Sequence, residues 1–180
     1  MPSALTLALL FFTPVGYLPT LSDTYCQSTV VVQALCLNED WVPGSEQSQS
    51  NGAEFRSVRS LKGHLEPGRQ VYVISRSFYR QGTQYLLFLR SPTPVEFAGH
   101  SQRIASHTPA SSTLVLQTTS IAMPIRANAV EIDVSYVVPD RQLLAYSKAE
   151  ELTKRHEPFR IDPLKLEASF RSVNCQAKGQ

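Results

Sequence analysis

At 180 residues the chain is long enough to bury one hydrophobic core and too short for two ordinary domains, so a single domain is expected. With 42% hydrophobic and 18% charged residues it falls outside disordered and fibrous compositions. Seventeen Lys and Arg against fifteen Asp and Glu leave a formal charge of +2, far from the basic excess with which nucleic-acid binders neutralise phosphate, so nucleic acid is not expected as a partner.

The chain opens on an apolar stretch, Ala4 to Phe12, followed by Pro14, Gly16 and Pro19. This is the shape of a signal-peptide core with a broken c-region, although Met1-Pro-Ser carries no basic residue. The run is about half of the roughly 20 residues that a membrane-spanning helix needs, so no permanent membrane span is expected. Thr20 and Ser22 supply small residues three and one positions before a cut, which makes residues 1–22 the expected signal peptide and Asp23 the expected mature N-terminus. The alternative for this segment is a buried N-terminal strand or helix. Export places the protein outside the cell or in the periplasm and cell envelope, where thiols are oxidised. Three cysteines follow the cut: Cys26, Cys36 and Cys175. One disulfide and one free thiol are expected, with Cys26–Cys175 preferred because it closes a very long loop, worth roughly 4 to 5 kcal/mol in the chain-entropy model. Cys36–Cys175 remains open, as does a role for Cys36 as a small core residue.

Gln27 to Leu37 is rich in β-branched residues and free of Gly and Pro, which predicts a buried first strand. Residues 43–53, PGSEQSQSNGA, read as a flexible surface loop of unusual length, a place where binding residues often sit. Trp41, at its start, is the candidate partner contact, or else a cap on the end of a barrel. Short strands are then predicted at Glu54 to Leu61, Gln70 to Ser75, Gln84 to Arg90, Val95 to Gly99, Thr113 to Thr119 and Ala129 to Val138, punctuated by Gly and Pro. The last alternates Val130, Ile132, Val134 and Tyr136 with Glu131, Asp133 and Ser135. A short helix is predicted from about Lys148 to Lys154, the one segment read as helical. The whole reads as an all-β single domain at 23–180 with one short C-terminal helix, of the sandwich or barrel type.

The run Phe55-Arg-Ser-Val-Arg-Ser-Leu-Lys-Gly63, the turn Glu66-Pro-Gly-Arg69, the strand Gln70 to Ser75 and then Tyr79-Arg-Gln-Gly-Thr-Gln-Tyr-Leu-Leu-Phe-Leu89 resemble bacterial exported proteins with a netrin-like, OB-fold-type β-barrel. With the valine-rich first strand, the resemblance spans about residues 27–90. It implies a single partly open barrel of about five to seven strands. The wider group includes the tissue inhibitors of metalloproteinases, which chelate a protease's zinc through an N-terminal cysteine. Cys26 would be N-terminal only after a cut behind Tyr25, which puts Asp23 and Tyr25 where small residues belong, so no functional residue is carried over.

The residues themselves give no catalytic signature. His100 and His107, with six residues between them, offer two metal ligands at most, without H-E-x-x-H or paired C-x-x-C; His64 and His156 read as a turn and a helix-end residue. G-x-S-x-G, a P-loop and G-x-G-x-x-G are all missing from the sequence. Glu131 and Asp133, two apart on one predicted strand, read as an outward polar stripe before they read as an acid–base pair. Phe78, Tyr79, Tyr85 and Phe88, interleaved with arginines, read as core aromatics before they read as a stacking surface. The sequence therefore points to a non-enzymatic binding or structural protein with an unidentified protein partner, with no catalytic residue, cofactor or metal assigned. A protease inhibitor and an enzyme of unrecognised type are the alternatives.

Overall fold

The computed structural model describes residues 18–40, 51–75, 77–99 and 115–178. In chain order these form α1 (Leu21–Gln27), β1 (Val30–Asp40), β2 (Asn51–Lys62), β3 (Gln70–Ser75), β4 (Gln84–Arg90), α2 (residues 94–99), β5 (Val115–Arg126), β6 (Ala129–Ile132), α3 (Tyr146–Arg155), β7 (Phe159–Ile161), α4 (Pro163–Arg171) and a 3-10 turn at Cys175–Lys178. Trp41, Arg76, His100 and His107 lie outside the described residues, as do 1–17 of the expected signal peptide and most of the expected loop. The end of that loop, Asn51 to Ala53, belongs to β2.

The strands run in the order β3-β2-β1-β4-β5-β6-β7, and a parallel β3–β5 pairing closes the first five into a barrel. The chain is mainly β, as the pattern of short strands implied, and the barrel is closed rather than partly open. Three register shifts between β1 and β2, at Val31/Val32, Gln33/Ala34 and Cys36/Asn38, bend this pair, because an extra unpaired residue increases local coil and twist. Gly63 lets the chain leave β2: its φ is +68°, and a Cβ there would sit 2.6 Å from the Thr29 carbonyl.

Alternation divides each central strand between two cores. Val32, Ala34, Cys36, Phe55, Val73, Tyr85 and Leu87 point into the barrel, whereas Val31, Leu86 and Phe88 point outward and are covered by Leu21, Ile132, Leu166 and Phe170. This is why Tyr85-Leu-Leu-Phe-Leu89 has no polar residue: both faces of β4 are buried. Inside the barrel Phe55, Tyr79 and Tyr85 meet edge to face at 4.9, 5.9 and 5.3 Å, so aromatic rings fill the interior.

Several expectations change. Val95 to Gly99 is helical, not a strand, because Thr93 and Glu96 form a reciprocal cap: the Thr93 N–H donates to Glu96 Oε2 at 2.7 Å and the Glu96 N–H to Thr93 Oγ1 at 3.3 Å, ahead of Pro94 in the first turn. The strand expected at 129–138 stops at Ile132, where the Asp133 carbonyl accepts from Tyr136 and Val137 and turns the chain. Two further helices join the one expected. In α1 Thr20 and Asp23 cap each other, with Leu21 fully buried. In α4 Asp162 Oδ1 accepts from the Leu164 and Lys165 N–H groups, with Pro163 in the first turn. Cys26 and Cys175 are joined, with Cα atoms 5.2 Å apart, and tie α1 to the C-terminal 3-10 turn. Beside them Lys62 donates to the Tyr25 and Cys26 carbonyls at 2.6 and 3.1 Å and lies 4.8 Å from the centre of the Tyr25 ring. Cys36 takes no part in that disulfide and is 1% exposed, a small core residue.

Candidate functional site

With the barrel interior filled, the concave surface lies outside it, where β5 and β6 meet α1. The hairpin between these strands turns on Ala127 and Asn128, both at positive φ (47° and 59°), the conformation of a two-residue turn that follows the twist of its strands. It sets Glu131 next to Val130, which pairs with Ile125 at the C-terminal end of β5. The result is a cleft of about 740 Å³ whose floor includes Ile121, Met123 and Pro124 and whose rim carries Phe78, Asp133 and Tyr136.

Glu131 is only 6% exposed, which contradicts its expected place on an outward polar stripe. Strand pairing explains the burial: Arg160 faces it across β6–β7, and its carboxylate lies between two guanidinium groups. Arg126 is 3.4 Å from Oε2, and Arg160 is 2.8 Å from Oε1 but off the line of a hydrogen bond, so the second contact acts through charge. Neither arginine lines the cleft. A carboxylate taken from water needs such compensation.

Asp133 differs. It stands exposed just past the end of β6, and its Oδ1 accepts the Ser135 N–H at 2.9 Å, with no ion pair among the described residues. That contact belongs to the turn that ends the strand, and it leaves the charge facing the cleft. Phe78 is 76% and Tyr136 70% exposed, although large rings normally hide most of their surface.

No protein-family model, curated protein or solved structure matches this chain.

Of the residues singled out in the sequence, Glu131 and Asp133 do meet in one cleft, joined by Phe78 and by Tyr136 from the turn. Tyr79 and Tyr85 lie in the barrel core instead, and Phe88 lies beneath α4, 5.8 Å from the Phe170 ring. His64 is exposed, 3.9 Å from Glu66, and His156 ends α3 in the left-handed conformation. Among the described residues no three His, Cys, Asp or Glu side chains gather as metal ligands, and no helix is long and apolar enough to cross a membrane. Sequence reasoning missed Tyr136 because it was assigned to the core face of a longer strand. The Asp133-x-Ser135 spacing, in which the side chain accepts from the N–H two residues on, was the available sign of a turn.

Proposed function

We propose that the chain is a non-enzymatic binding protein of the cell envelope or extracellular space, and that the cleft beside β6 is its contact surface. The observation that carries this reading is the rim itself: two large aromatic rings left mostly in water beside a carboxylate that makes no ion pair among the described residues. Exposed aromatic side chains at a concave surface supply much contact energy for little lost side-chain freedom. The Cys26–Cys175 pair is compatible with an oxidising, extracellular or periplasmic location. The meander β1-β2-β3, with β5 parallel to β3 and β4 between β5 and β1, also agrees with the OB-type arrangement that the resemblance implies.

The test is capture from an envelope extract on immobilised protein, comparing the native chain with Phe78→Ala/Tyr136→Ala. Both rings are exposed, so the double variant should fold. A protein retained by the native chain and lost from the variant is the expected result. Identical capture by the two would remove the cleft from the reading.

A further inference from the structure

We infer that this cleft takes an aliphatic cation, an ammonium or guanidinium group on an apolar stem, with Asp133 as its counter-ion and the Phe78 and Tyr136 rings as its walls. The inference rests on the reading of the cleft as the binding site and adds the class of ligand. Its first support is charge. Arg126 and Arg160 face Glu131 from behind, outside the lining of the cleft, while the Asp133 side chain meets a backbone N–H and, among the described residues, no cation, so Asp133 is the carboxylate that fronts the cleft without a paired charge. No Lys, Arg or His is found among the described lining residues, so an anion in the cleft would meet Asp133 with no described cation in direct contact. Its second support is the rings, whose electron-rich faces attract cations held within about 6 Å of their centres. Its third is the floor: the half-buried Ile121 and Pro124 offer apolar surface to a hydrocarbon stem, and a volume of about 740 Å³ lies in the usual range for small ligands.

The experiment is titration of the isotope-labelled full chain, followed through its amide resonances, with n-butylammonium, n-butanol and butyrate. These probes share a stem and differ in charge. The expected result is saturable shifts around Phe78, Asp133 and Tyr136 with n-butylammonium, and binding at least several-fold weaker for the other two. Asp133→Asn keeps an oxygen for the Ser135 N–H and removes the charge, so it should fold normally and weaken n-butylammonium about threefold to tenfold with n-butanol unchanged. Equal binding of n-butylammonium and n-butanol, or an unaffected Asp133→Asn variant, would overturn the cation assignment while leaving the cleft a binding site. Failure of all three probes to shift these residues would overturn the cleft itself. N-acetyl-lysine-N-methylamide separates the sources: tighter binding than n-butylammonium assigns the cation to a basic side chain of a polypeptide, and equal or weaker binding assigns it to a free amine.

Discussion

Arg90 holds Glu96 with both terminal nitrogens, at 3.0 and 2.6 Å, and Thr93 adds its N–H and hydroxyl at 2.7 and 3.0 Å. These donors favour the ionised carboxylate, the Arg90 hydrogen bonds most, and hold its pKa down from the ordinary 4.5 to about 2. The folded chain thus resists protonating this group where the unfolded chain accepts the proton. The resulting stabilisation is fully present above the ordinary carboxylate value and is lost as the pH falls through about 2. Solvent screens the pair, whose side chains are 39% and 29% exposed, so its worth stays below about 1 kcal/mol. A carboxyl-carbon NMR titration should show a Glu96 midpoint below the ordinary 4.5; a midpoint at 4.5 would mean that Arg90 does not hold it in solution. Glu131 makes the same point from the buried side, since its charge became legible only once Arg126 and Arg160 stood on either side of it.

At the scale of elements, short capped segments decided more than propensity did. Thr20 and Asp23 form a capping box, the Leu21 N–H bonds the Val138 carbonyl at 3.0 Å, and Ser22 Oγ donates to Asp140 at 2.8 Å. The sequence reading took these small polar residues for a cleavage site. A chain beginning at Asp23 would lose the cap, worth about 1 kcal/mol, and the buried Leu21 side chain, worth about 2 to 5 kcal/mol by analogy with core truncations. Against a chain beginning at Leu18, it should unfold at clearly lower urea, with a difference of about 3 kcal/mol or more. Equal midpoints would show the docked segment to be dispensable and leave the cut after Ser22 open. The C-terminal helix α4 was legible in principle: Asp162-Pro163 is a helix start, and Leu166 and Phe170, four apart, form its buried face. Read singly, neither sign stands out from a turn followed by a polar tail.

At the scale of the molecule, a barrel closed by β3–β5 is wrapped on one side by α1 and α4, and the Cys26–Cys175 bond, with a sequence separation of 149, joins α1 to the 3-10 turn that follows α4. Phe170 stacks on Tyr25 at 4.6 Å, and Arg59 of β2 meets Glu167 of α4 at 2.7 Å, so the ends are already packed where the bond forms. Cys26→Ser/Cys175→Ser should lower the unfolding free energy by about 4 kcal/mol, measured by urea denaturation under non-reducing conditions. An unchanged midpoint would mean that the bond is absent in solution. Intact mass after alkylation should show no labelled thiol in the native chain and one, Cys36, after unfolding, since Cys36 is 1% exposed.

The sequence by itself determined the features that repeat along the chain. Apolar runs, β-branched residues and glycine turns placed β1 to β4, the valine-rich run of β1 implied burial, and the cysteine count allowed one bond. Tertiary structure decided what depends on contacts between distant residues: the parallel closure of β5 on β3, the partner chosen by Cys26, the shielding of Glu131 and the exposure of Phe78 and Tyr136. The physical reason is that local pattern fixes the direction in which a side chain points. Which other segment stands there to cover, pair or neutralise it is set by the packing of the whole chain.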